Sequence, residues 1–240
     1  GAPTTPGDVS VWDKPCPVDE VVFRTTDVGE VSLNVACQGE GPTIVLLHGF
    51  PEFWMGWSSV MEALASEFRL VVPDQRGYNL SDKPESVSDY ELAHLDADIV
   101  GLITAIGGGP VTLVGHDWGG AVSWVVASIH PELVERLVVV NGPHLDVFGD
   151  LLANDADQQS AFAYVHLFLV EGTEDLLLAG DQAGLLDSFE GLLTASEVEA
   201  YQEAWQQPGA ITGGLNWYRA NFDDDGLPLP HEPLYVDVPT

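Results

Sequence analysis

The segment Val111-Thr-Leu-Val-Gly-His-Asp-Trp-Gly-Gly120 sets an aspartate between two glycines, where an apolar run meets a stretch of small residues. The run reads as a strand, and Gly119-Gly-Ala-Val-Ser123 opens a helix. Glycines at 115 and 119 permit a sharp strand-to-helix turn without Cβ clashes. The side chain between them, Asp117, is then presented at the N-terminal end of the helix, where a nucleophile belongs. A carboxylate is already ionised at neutral pH. It is suited to displacing a leaving group at an sp³ carbon, forming an alkyl ester that water must later cleave. An epoxide or an alkyl halide fits that chemistry.

A second turn follows Thr43-Ile-Val-Leu-Leu47. In His48-Gly-Phe-Pro-Glu52 the backbone N–H of Phe50 can reach the elbow and, with the N–H of Trp118, form an oxyanion hole. The His48 side chain is expected to hold the loop rather than react. Asp74-Gln-Arg-Gly-Tyr78 and Ser81-Asp-Lys-Pro84 are expected to tie a loop together, with Arg76 paired to an acid. His116, His130 and His144 are expected as packing or capping residues, and His231 as an exposed residue. No His/Cys/Asp grouping has metal-ligand spacing and no glycine-rich phosphate loop precedes a helix, so neither metal nor cofactor is expected.

The elements that must position these residues alternate. Residues 21–25 and 31–36 alternate in polarity like antiparallel strands. Residues 43–47, 70–72, 111–114 and 137–140 are short apolar runs typical of strands buried on both faces. Helices are expected over 57–68, 89–106 and 119–129, the second opened by a capping box of Ser88 with Glu91. This order argues for a largely parallel sheet. Residues 150–221 show no clear strand; short helices are expected over 161–170, 174–178 and 194–206, the last with a Thr194–Glu197 capping box. Residues 236–238 read as the start of another buried strand.

The 240 residues suffice for one sizeable core with an insertion. Thirty-eight acidic residues face seven Lys and Arg, giving a net charge of −31, yet 45% of residues are hydrophobic, so the chain is not a disordered acidic tail. So acidic a surface fits a salt-rich environment, where counterions screen self-repulsion. With no basic patch, nucleic-acid binding is not expected. No apolar stretch is long enough for a membrane span. Cys16 and Cys37 do not make a disulfide framework in a domain this large, and free thiols in a cytoplasmic protein are the expectation.

Taken together, His48-Gly-Phe-Pro-Glu-Phe-Trp54, Asp74-Gln-Arg-Gly-Tyr78, Ser81-Asp-Lys-Pro84, Gly115-His-Asp-Trp-Gly-Gly120 and Asn141-Gly-Pro-His144 resemble, in order, the motifs of α/β-hydrolase-fold epoxide hydrolases. The resemblance covers about residues 20–240. It implies an α/β fold with a mostly parallel sheet, helices on both faces and an inserted helical cap. The divisions expected are a lead-in at 1–19, a core at 20–145, a cap at 146–228, and a return linker with the start of a core strand at 229–240. It further implies Asp117 as nucleophile and two cap tyrosines as proton donors to the epoxide oxygen. Tyr218 in Asn216-Trp-Tyr-Arg219 matches the second tyrosine, and Tyr164 the first less firmly. Trp54, Trp118 and Trp217, with His48 and Pro51, are expected to shape a pocket for a small apolar epoxide and its attacking water. The family's catalytic acid and histidine follow strands seven and eight. No histidine here matches that position, so the chain reads as truncated, its last strands missing, and impaired in the hydrolytic step. A dehalogenase of the same fold is the nearest rival, although Phe50 and Trp118 stand where dehalogenases carry Asn or Arg. A non-catalytic ligand-binding relative is the other.

Overall fold

The computed structural model describes residues 10–240; of the expected lead-in, residues 1–9 lie outside it. Six strands form one sheet: β1 (Val22–Asp27), β2 (Ser32–Gln38), β3 (Thr43–Leu47), β4 (Arg69–Pro73), β5 (Val111–His116) and β6 (Val134–Val140). Their spatial order is β1-β2-β4-β3-β5-β6. β1 and β2 form an antiparallel hairpin and β2 pairs antiparallel with β4. β4, β3, β5 and β6 run parallel, with Val45 opposite Val71 on one side and Leu113 on the other. The apolar runs are parallel because helices, not hairpins, connect them.

Side-chain alternation sends each strand's residues to two faces. One face packs Ala36, Ile44, Leu46, Leu70 and Val72 against Met61 and Leu64 of helix α1 (Ser58–Leu64). The other packs Val35, Val45, Val71 and Leu113 with residues of α2 (Leu92–Ala105) and α3 (Trp118–Ile129). Helices therefore cover both faces, as expected.

Beyond β6 come α4 (Leu145–Asn154), α5 (Ala156–Ala161), α6 (Val165–Leu169), α7 (Thr173–Asp187, interrupted at 179–182), α8 (Ala195–Trp205) and α9 (Ala210–Asn221). A second cluster of Leu177, Leu185, Tyr201, Trp205, Ile211 and Leu215 packs α7, α8 and α9 together, and Phe53 of the loop after β3 is inserted into it. Two tryptophans tie α8 and α9 to carbonyls of the loops after β3 and β4. The Trp205 indole donates to Pro51 O at 2.6 Å, and that of Trp217 to Arg76 O at 2.9 Å.

Several local expectations are corrected. The helix expected over 57–68 is shorter, α1 being preceded by a 3₁₀ turn, Trp54–Trp57. The Thr194–Glu197 capping box is present, but the Ser88–Glu91 box is not. Ser88 lies in a 3₁₀ turn, Val87–Tyr90, and α2 starts only at Leu92. Residues 236–238 are not a strand. Only one backbone bond, Leu137 N–H to Pro239 O at 2.9 Å, continues the ladder, while Val236 and Val238 pack on the core. Cys16 and Cys37 are not free thiols but a disulfide. Residues 17 and 18 lie along β2, where Gly39 N–H donates to Pro17 O and Gln38 Nε2 to Val18 O. That alignment brings together two sulfurs 21 positions apart, which composition does not reveal.

Candidate active site

Asp117 occupies the turn between β5 and α3 with φ 51° and ψ −121°, a conformation that a residue with a Cβ adopts only when its surroundings enforce it. The surroundings are tight. A Cβ at Gly115 would overlap the Gly119 carbonyl, and one at Gly119 would overlap that of Leu47. Both elbow glycines are thus needed for the close passage of β5, α3 and the loop after β3.

The loop after β3 approaches from the other side. Phe50 N–H donates to Asp117 Oδ1 at 3.0 Å. Burial pushes the Asp117 carboxyl above the usual aspartate range, and the Phe50 and Trp118 N–H groups pull it part of the way back. These are the two donors expected of an oxyanion hole, and at present they hold the carboxylate itself.

The loop is held by side chains that do not touch the cavity. His48 is fully buried; its Nδ1 donates to Gly49 O at 2.9 Å while Nε2 accepts from Gln75 N–H at 3.1 Å. That pair fixes one neutral tautomer, and burial lowers the imidazole to about 4. Asp74, buried and pushed up to about 6 by desolvation, accepts from Trp54 N–H, Asn34 Nδ2 and Asn79 Nδ2. Arg76 makes a two-pronged pair with Asp98, 2.7 Å on each arm, the acid partner expected for it. His116 Nδ1 meets Glu52 Oε2 at 2.7 Å. That hydrogen bond raises the imidazole above its usual value.

A cavity of about 730 Å³ opens at Asp117. Trp118, Tyr164 and Tyr218 line it, so the Asp117 carboxylate and both tyrosines surround one space. Tyr218 is buried in α9, its ring 5.2 Å from that of Trp118, whereas Tyr164 is 42% exposed at the rim. Burial, then the Asp117 charge, raises both phenols above their ordinary value, which keeps them protonated.

Four expected pocket residues are elsewhere. His48 is enclosed beneath the loop. Trp54 packs its edge against Phe23 and Phe53. Pro51 lies under Trp205 of α8. Trp217 is buried against Tyr78 and Trp118, one helical position off the cavity. Phe148, Phe162 and Phe222 supply apolar wall instead, and Asn221 borders the same space. Sequence could mark these phenylalanines as cap aromatics, but their facing depends on how each helix is rotated. His231, expected to be exposed, is 23% exposed and lines the cavity, its Nδ1 3.8 Å from Asp146. Among the described residues no group of potential ligands is placed to hold a metal ion, and no helix is long and apolar enough to cross a membrane.

Residues 42–222 match the family model described as the alpha/beta hydrolase fold. The AB hydrolase superfamily protein YfhM of Bacillus subtilis is 40% identical, over 92% of this chain and 80% of its own length. Epoxide hydrolase 4 of Mus musculus is 35% identical over 83% of this chain, which spans only 57% of that protein. The crystal structure of an epoxide hydrolase from Bacillus megaterium superimposes with a TM-score of 0.79 at 33% identity, covering 88% of this chain and 78% of that one. With its elbow, its sheet order and the helices that follow β6, the chain belongs to the α/β-hydrolase-fold epoxide hydrolases.

Proposed function

We propose that this chain opens an epoxide through an ester on Asp117, the first half of its conversion by water to a vicinal diol. One observation carries this: a buried carboxylate, held at a strained elbow by the Phe50 and Trp118 N–H groups, shares its cavity with two protonated phenols. An Asp117 oxygen attacks the less hindered ring carbon and the C–O bond to that carbon breaks. The electron pair stays on the former ring oxygen, which takes a proton from Tyr164 or Tyr218. In the second half, water adds to the ester carbonyl, and its developing oxyanion lies against the Phe50 and Trp118 N–H groups. The bond between the acyl carbon and the substrate oxygen then breaks; one proton of the water goes to that oxygen, completing the diol, and the other returns to the phenolate, restoring carboxylate and phenol. Two phenols favour an alkoxide, which needs a proton, over a halide, which does not. The apolar walls from Phe148, Phe162 and Phe222 suit a small apolar substrate.

Among the described residues no histidine hydrogen-bonds to Asp117; His48 and His116 are committed to Gly49 and Glu52. Without an activated water, hydrolysis loses about 10²–10⁴ in rate, so the ester is expected to persist on this chain. Intact-mass spectrometry after incubation with styrene oxide tests both halves. The expected result is addition of one epoxide mass, absent in Asp117→Asn, with slow diol release. No adduct and no diol would overturn the epoxide assignment. Rapid multiple turnover would overturn the slow second step and make His231 the first base to replace.

A further inference from the structure

Asn221, the last residue of α9, has a side chain wholly occupied between cap and core. Its Oδ1 accepts Leu92 N–H at 3.0 Å, and its Nδ2 donates to Tyr90 O at 2.9 Å and Trp217 O at 2.8 Å. The Leu92 N–H is an orphan donor of the first turn of α2, which has no side-chain cap of its own. The cap of this core helix is thus supplied from the other layer of the molecule, across 129 positions of sequence.

Trp217 and Asn221 are four residues apart and share one face of α9. Both are hydrogen-bonded to the core, through Arg76 O and through the 90–92 turn. Tyr218 lies between them in sequence and projects into the cavity that holds Asp117. Its ring otherwise meets aromatic rings: the edges of Phe50, Trp118 and Phe168, with centroids 4.9–5.6 Å away, the stacked Phe222 at 6.2 Å, and Tyr164 at 6.5 Å. Apolar edge contacts are tolerant of sliding, whereas hydrogen bonds are directional. The height of the Tyr218 hydroxyl over the carboxylate therefore depends on the polar ties at either side.

We infer that Asn221 is a positioning residue for Tyr218: by capping α2 from α9 it holds the phenol in register with Asp117. The inference rests on the proton-donor role of Tyr218 proposed above. A displacement of about 1 Å at a reacting group costs on the order of 10²-fold in rate.

The test is a double-mutant cycle on ester formation with styrene oxide, followed by intact mass. Asn221→Ala is expected to slow esterification by roughly 10–100-fold in wild type and by less than about 2-fold in Tyr218→Phe, since residues that act as a unit are not additive. Equal slowing in both backgrounds, the signature of a merely structural residue, overturns the inference. Asn221→Asp keeps the acceptor for Leu92 but turns a carboxylate oxygen toward the Tyr90 and Trp217 carbonyls. It should reproduce the alanine result and serves if that variant folds poorly.

A second arm needs no activity. In protein carrying 3-fluorotyrosine, the Tyr218 resonance, assigned by its loss in Tyr218→Phe, should move when Asp117 becomes Asn. In Asn221→Ala that response should disappear, and its persistence overturns the inference. Absence of any ester on wild-type protein would count against the epoxide assignment alone, leaving this arm to decide the placement of Tyr218.

Discussion

Gly49, in the loop after β3, lies so close to Asp117 that a Cβ built at residue 49 would stand 2.8 Å from Asp117 Cγ. The loop can aim the Phe50 N–H at the carboxylate only because residue 49 has no side chain. Gly49→Ala is therefore expected to displace the carboxylate or the loop and slow ester formation by about 10²-fold. Intact-mass time courses measure it, and a rate within twofold of wild type would refute the contact's importance.

Asp117 is also held at a cost to stability. Its carboxyl titrates above the usual range in the folded chain because it is buried. The native state thus takes up this proton more readily than the unfolded state, and stability falls as pH rises from the ordinary aspartate value through the raised one. Asp117→Asn removes that penalty. At pH 7–8 its Tm should exceed that of wild type, and the gain should shrink as pH is lowered through the raised value and vanish below the ordinary one. Calorimetry across pH checks the sign.

The ester-forming step should show the same titration in the opposite sense. In the proposed mechanism only the ionised Asp117 attacks, so the rate of mass addition should fall as pH drops through a value above about 4, the ordinary aspartate range. An inflection at or below the ordinary value would contradict attack by the buried Asp117 carboxylate.

The Cys16–Cys37 disulfide closes a loop of 21 positions between the lead-in and β2. Loop-closure entropy for that size contributes about 3 kcal/mol, or roughly 6–12 °C in a domain of this length. Cys16→Ser with Cys37→Ser, or reduction before a melt, should lower Tm by that amount, while an unchanged melt would mean that the bridge is idle.

A charge of −31 predicts that salt stabilises the fold. At 1 M the screening length is about 3 Å, so Tm should climb between 0.1 and 2 M KCl. A flat or falling curve would argue against salt adaptation.

Local pattern was enough to place the strands, the elbow at Asp117, the loop that brings the Phe50 N–H to it and the Thr194–Glu197 cap. Each depends on residues within a few positions of one another: glycines that allow a turn, or an apolar run that must be buried. The tertiary structure decided what depends on facing and on distant partners. Trp54, Pro51, His48 and Trp217 have the chemistry of pocket residues but turn into packing beneath it, because a rotation of one helical or loop position moves a side chain off the cavity. Phe148, Phe162, Phe222 and His231 line the cavity for the same reason. Asn221 takes over the capping of α2 that Ser88 and Glu91 were expected to provide, and Cys16 finds Cys37, because the chain folds back to bring these pairs together. Hydrogen bonds and disulfides depend on proximity in space, and proximity across 21 or 129 positions is set by how the layers pack.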